Sequence, residues 1–158
     1  MGEGALDEVI VVVSGLAEGS EPRVLARALL ARCAAGASAV PLYVADLDAL
    51  QGRATQAAVL AGLLGALPEA TVWLDAGFTD APAAQRLRAE LGAASARVRP
   101  VYASESLASV DALADLASVP DAILSLDCRL DRPMDPAGCW QRPALWPRTV
   151  IEIGRAHV

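Results

Sequence analysis

Short runs of β-branched and aliphatic residues recur along the chain at a steady interval. Val9-Ile10-Val11-Val12-Val13 comes first, then Val40-Pro41-Leu42-Tyr43-Val44, Thr71-Val72-Trp73-Leu74 and Val98-Arg99-Pro100-Val101-Tyr102. Ala122-Ile123-Leu124-Ser125-Leu126 and Thr149-Val150-Ile151-Glu152-Ile153 complete the series. Their starts lie roughly 25 to 30 residues apart, the spacing of repeated strand–helix units. The runs are apolar almost throughout rather than alternating, which predicts parallel strands covered on both faces.

Helical patterns fill most of the gaps. Ser20 is a good N-cap for a helix with Pro22 in its first turn and Val24, Leu25, Ala28 and Leu29 as its apolar stripe. Val59, Leu60, Leu63, Leu64 and Leu67 form a second stripe, ended by Pro68. Asp80 is placed to cap a third helix, with Pro82 in the first turn, Leu87 and Leu91 on the buried face and Gly92 as its stop. Ser106 or Ser109 opens a fourth, carrying Val110, Leu113 and Leu116. From Asp131 to Arg148 the chain holds Pro133, Pro136, Pro143 and Pro147, and reads as a long loop with at most a short helical piece.

This alternation predicts an α/β fold built on a parallel sheet. The leading expectation is a (β/α)8 TIM-barrel type that is incomplete, with about six parallel strands, since a whole barrel takes about 250 residues and the chain has 158. An open doubly wound parallel sheet is the alternative.

Composition narrows the chemistry. Hydrophobic residues make up 54% and aromatics 4%, so the core is built from Ala, Leu and Val. No apolar run approaches the ~20 residues of a membrane helix, and Val9–Val13 is too short, with an acidic flank, for a signal peptide. The expectation is a cytoplasmic protein with no membrane partner. The net charge is −6 without a basic cluster, which argues against nucleic acid. All 13 basic residues are Arg; with no Lys, neither a Schiff base nor a phosphate-loop lysine is available. Cys33, Cys128 and Cys139 fit no C-x-x-C pattern and read as small buried hydrophobes in a reducing compartment. His157 is the only His, so His-based catalysis and His-ligated metals lack a basis. No cofactor and no metal are expected; chemistry falls to carboxylates, hydroxyls, Arg and backbone amides.

Three strands run straight into acids: Asp46-Leu47-Asp48 after the second, Asp75-Ala76-Gly77 after the third, and Asp127-Cys128-Arg129 after the fifth. In parallel α/β folds the carboxyl ends of the strands form the functional face. Taken singly, each Asp is accounted for by capping the loop or helix that follows. Taken together they favour a carboxylate-lined rim, with Asp127 the foremost candidate because no regular helix start follows it. A weaker signal concerns phosphate. Gly77 leads to the helix at Asp80, and Ala103-Ser104 precedes the helix near Ser106, so two neighbouring turns are placed to offer amides to one phosphate.

The segments Leu42-Tyr43-Val44-Ala45-Asp46-Leu47-Asp48-Ala49, Trp73-Leu74-Asp75-Ala76-Gly77, Val101-Tyr102-Ala103-Ser104-Glu105-Ser106-Leu107 and Leu124-Ser125-Leu126-Asp127-Cys128-Arg129, in this order and spacing, resemble the HisA/HisF family of histidine-biosynthesis barrels. The likeness is to the branch of the phosphoribosylformimino-AICAR ribotide isomerase, in particular to the HisA-like proteins of methanogens and methylotrophs, which carry Asp-Ala-Gly where true isomerases carry a glycine triplet. It covers about Ser20 to Ile153. The implied organisation is a partial barrel over residues 1–153, with residues 154–158 as a tail outside the family pattern.

The resemblance implies an Amadori rearrangement of an aminoaldose to an aminoketose, run by one acid ending the first strand and one ending the fifth. Asp127 matches the fifth-strand acid and is the implied catalytic residue. Gly77, Ala103 and Ser104 match one phosphate site; Asp46 and Asp48 match the second-strand Asp-Leu-Asp; Trp140 matches the Gly-Trp that follows the fifth strand. The implied partner is a phosphorylated sugar or ribonucleotide small molecule. Departures are equally specific. The first strand ends Val11-Val12-Val13-Ser14, without an acid, and Asp75 places a negative charge where a phosphate should bind. The last two units and their second phosphate site are not represented. The chain as given is therefore expected to lack measurable isomerase activity, and an Asp at Val13 alone is not expected to restore it. Two alternatives stand beside this reading: a non-catalytic interaction or scaffold fragment, self-associating through open sheet edges, and an unrelated phosphate- or nucleotide-binding α/β domain.

Overall fold

Each of the six apolar runs contains a strand. The computed structural model describes residues 9–13 and 41–155. Strand β1 is Val9–Val13, β2 Leu42–Asp46, β3 Val72–Asp75, β4 Val98–Ala103, β5 Ile123–Arg129 and β7 Thr149–Arg155, with a two-residue β6, Arg132–Pro133. Neighbours pair in parallel in the order β1-β2-β3-β4-β5-β7, and β6 folds back antiparallel on β5. The parallel strand order follows the chain without a reversal, and the sheet is open. The helix expected from Ser20 lies outside the described residues.

Period-two alternation assigns the sheet residues to two faces. Leu42, Val44, Val72, Leu74, Val98, Tyr102, Leu124 and Leu126 belong to the larger core. The same core takes Leu60, Leu63 and Leu64 of α2 (Ala57–Ala66), Ala84, Leu87 and Leu91 of α3 (Ala81–Leu91), and Ala112 and Leu113 of α4 (Val110–Asp115). On the opposite face Tyr43, Ala45, Trp73, Val101 and Ile123 form a second, smaller core. Leu47 and Leu50 of α1 (Leu47–Leu50) and Ile151 and Ile153 of β7 pack against it. Both faces of the central strands are thus covered, which is why their sequences read as continuous apolar runs.

The helix ends follow the expected residues. Asp80 accepts the Ala83 amide at 2.8 Å with Pro82 in the first turn, and Gly92 closes α3 with φ 61°. Of the two serines considered for α4, Ser109 is the cap, accepting the Ala112 amide at 3.1 Å. The carboxyl end of α2 is closed from outside: the Arg97 guanidinium donates to the carbonyls of Leu64 (2.7 Å), Leu67 (2.7 Å) and Ala70 (3.0 Å). The Leu64 carbonyl lies in the last turn of α2, where intrahelical donors run out, and Leu67 and Ala70 lie in the segment that leaves it, so a distant arginine ties the helix end to its exit.

The proline-rich stretch is mostly irregular, with 3-10 turns at Cys139–Gln141 and Pro143–Leu145. It also holds a feature the proline count did not suggest, a tight hairpin joining β5 to β6. Leu130 (φ 53°) and Asp131 (φ 57°) form its two-residue loop in the left-handed region, the signature of a type I′ turn. Such turns are normally announced by Asn-Gly or Asp-Gly, and neither is present.

Candidate carboxylate site

At the carboxyl ends of β3 to β5, on the face of the smaller core, the alternation that buries Trp73 and Ile123 also brings out Asp75, Ser125 and Asp127. Asp75 is buried. Its Oδ2 accepts the Tyr43 hydroxyl at 3.0 Å and its Oδ1 accepts the Gly77 amide at 3.2 Å. Burial, with the nearby carboxylates of Asp127 and Glu105, raises its pKa to about 6 against the pull of those two hydrogen bonds. Tyr43 is pushed up in turn, by its own burial and by Asp75, so its hydroxyl stays protonated.

Asp127 is half-buried and also titrates above the ordinary carboxylate range. Burial and the Glu105 charge raise it; hydrogen bonds from Ser125, Ser104 and the Glu105 amide partly offset them. Ser125, fully buried, donates to its Oδ1 at 3.0 Å. Ser104, also fully buried, lies 3.4 Å from its Oδ2 and accepts its backbone amide at 2.9 Å. Glu105 completes the cluster through its charge on both aspartates.

The residues singled out in sequence do not all meet here. Asp127 and Ser104 do, and Ala103 ends the strand leading to them, fully buried. Asp46 is fully buried as a cap: it accepts the amides of Ala49 at 3.1 Å and Gln56 at 2.8 Å. Asp48 pairs with Arg53 at the surface. Trp140 packs against the larger core, its amide held by Asp135 at 2.9 Å and its indole Nε1 buried with no hydrogen-bond acceptor among the described residues. The two amides considered for phosphate are both engaged within the chain, Gly77 N with Asp75 and Ser104 N with the Ser125 carbonyl at 2.8 Å. Gly77 has φ 65°, and a Cβ there would lie 3.3 Å from the Ala49 carbonyl oxygen, so the turn that presents its amide to Asp75 favours glycine.

Two members of the cluster escaped the sequence reading. Tyr43 and Glu105 sit inside the quoted segments, but only the pairing of β2 with β3 and the end of β4 show that they face the acids. Among the described residues no group of His, Cys, Asp and Glu is arranged to hold a metal ion, and no helix is long and apolar enough to cross a membrane. Cys128 and Cys139 are free thiols, and Cys139 is buried; Cys33 and His157 lie outside the described residues. No family model matches the chain, and no curated protein matches it.

Proposed function

We propose that the chain is part of a HisA/HisF-type (β/α) barrel. In this reading its strand-end carboxyl groups carry the proton transfers of phosphoribosyl aminoaldose–ketose isomerisation or closely related sugar-phosphate chemistry. The carrying observation is the pair Asp75 and Asp127, on one sheet face at the carboxyl ends of β3 and β5, both with raised pKa. Sequential strand order, with the α2–α4 side chains packed on one sheet face, supports the barrel-type winding.

The rearrangement needs a proton delivered to the ring oxygen, which breaks the ring C–O bond, and a proton removed from the second carbon, whose electron pair forms the enolamine. A carboxyl titrating near 6 is a competent acid at neutral pH, and Asp75 takes that role. Asp127, held by two serine hydroxyls, takes the proton from carbon. The acid missing from the end of the first strand is thereby supplied from the third. Asp75 also occupies the Gly77 amide, so the substrate phosphate must be held away from that amide while Asp75 keeps its present contacts.

The test is solvent exchange. The purified chain is incubated in D₂O with the phosphoribosyl aminoaldose and with ribose 5-phosphate, and deuterium at the second carbon is followed by NMR. Complete isomerisation is not expected of the chain as given; the expected result is the half-reaction alone, incorporation at the second carbon that Asp127→Asn and Asp75→Asn each reduce by about 10²-fold or more. No incorporation, or incorporation unchanged in both variants, overturns the reading. A non-catalytic interaction fragment is favoured by one observation: β1 and β7 stand at the ends of an open sheet among the described residues.

A further inference from the structure

The Ser104 hydroxyl bridges the Asp127 carboxylate and the segment that follows the β5–β6 hairpin. Its oxygen accepts the Asp127 amide at 2.9 Å. Its single proton faces two acceptors, the Met134 carbonyl at 2.8 Å and Asp127 Oδ2 at 3.4 Å. A hydroxyl has one proton to donate, so these two bonds compete. Ser104 is fully buried, so water does not readily stand in for the acceptor that loses. Met134 belongs to the segment that returns from the β5–β6 hairpin, and its amide donates to the Asp127 carbonyl at 2.8 Å. The hairpin strap is thus seated on the same residue whose carboxylate shares the Ser104 proton.

We propose that Ser104 is a positioning residue that couples the seating of this strap to Asp127: a seated Met134 carbonyl holds the hydroxyl proton, and a lifted strap returns it to the carboxylate. This deepens the proposed acid–base role of Asp127 and rests on that reading for its catalytic meaning, but the coupling exists without substrate. A seated strap leaves Asp127 with one close hydroxyl donor, Ser125 at 3.0 Å, and a long contact from Ser104 at 3.4 Å, beside the Glu105 amide, and hence with a higher proton affinity. A lifted strap frees the Ser104 proton for the carboxylate, strengthens that long contact and lowers the affinity. The other groups facing Asp127 are Glu105 in the turn after β4, Asp75 on β3, Tyr43 on β2 and the neighbouring Cys128 thiol.

The experiment is a double-mutant cycle read by carboxyl ¹³C NMR titration of Asp127. Met134→Pro removes the amide that seats the strap and leaves Ser104 and Asp127 intact. Expected is a fall in the Asp127 pKa of about half a unit to one unit, the effect of one added hydrogen bond to a carboxylate. In a Ser104→Ala background the same Met134→Pro change is expected to leave the pKa unmoved, while Ser104→Thr, which keeps a hydroxyl, restores the response. Should the alanine variant fail to fold, Ser104→Cys serves, since a thiol is a much weaker donor. An equal shift with and without the hydroxyl, or no shift in either, overturns the coupling. Because the readout needs no turnover, its failure is distinguishable from failure of the solvent-exchange test.

Discussion

The Tyr43 hydroxyl donates to Asp75 Oδ2 at 3.0 Å across the β2–β3 pair, diagonally, since the register sets Tyr43 opposite Trp73 and Ala45 opposite Asp75. A buried phenol and a buried carboxyl thereby satisfy one another on the face that carries the candidate chemistry, and the bond stabilises the charged form of the acid. Tyr43→Phe is expected to raise the Asp75 pKa above 6 by about half a unit to one unit, at about 1 kcal/mol in stability. Carboxyl ¹³C titration together with urea denaturation checks both, and an unmoved pKa shows that the contact does not govern the acid.

The buried acid also gives stability a defined pH dependence. Asp75 binds its proton more tightly folded, at about 6, than unfolded, at 3.8. Its contribution is fully present below pH 4 and is lost as pH rises through 6, about 3 kcal/mol in all. Asp127 is shifted in the same direction. Asp75→Asn removes the dependence, so the variant gains on the wild-type protein between pH 4 and 7. Denaturant midpoints at half-unit pH steps measure the difference, and parallel curves refute it.

Asp75 also occupies the Gly77 amide, the group considered from sequence for phosphate. Asp75→Gly removes a like charge and frees that amide at once. Calorimetry with ribose 5-phosphate is expected to show binding about tenfold tighter than wild type, equal to about 1.4 kcal/mol. If neither protein binds phosphate, the turn at Gly77 is not an anion site.

The hairpin loop offers a gain in stability. Leu130 and Asp131 hold positive φ without glycine or asparagine, and Leu130 is exposed. Replacing the pair by Asn-Gly, the preferred type I′ sequence, is expected to stabilise the fold by about 1 kcal/mol. Thermal denaturation checks the sign, and destabilisation refutes the turn assignment.

Arg97 and Arg99 are expected to be the costliest charges to remove. Arg97 closes the end of α2 through three carbonyls. Arg99 lies 5.5 Å from the Trp73 ring and donates to the Asp121 carbonyl (3.2 Å) and the Thr149 hydroxyl (3.0 Å), tying β3, β4 and β7 together. Arg97→Ala is expected to cost about 2–4 kcal/mol and Arg99→Lys about 1–2, since a single ammonium does not reproduce a planar fork. Denaturation midpoints within error of wild type would contradict both.

The strands, the Asp80 cap with its Pro82 and Gly92, and the Ser109 cap of α4 were legible in the chain because each depends on residues adjacent in sequence. A strand buried on both faces must be apolar throughout, and a helix start must hold an acceptor within its first turn. The acids at the strand ends could be named for the same reason, but their roles could not. Asp46 and Asp127 each stand at the end of an apolar run, yet the first is engaged as a cap by Ala49 and Gln56 and the second is held by one serine of its own strand and one from the turn after β4. That separation depends on strand register, as does the meeting of Tyr43, Asp75 and Glu105 on one face. Proton affinity follows from burial and from neighbours distant in the chain: folding removes Asp75 from water and raises its pKa to about 6, with the Asp127 and Glu105 charges adding to the rise, while pairing of β2 with β3 brings the Tyr43 hydroxyl whose hydrogen bond holds the value down.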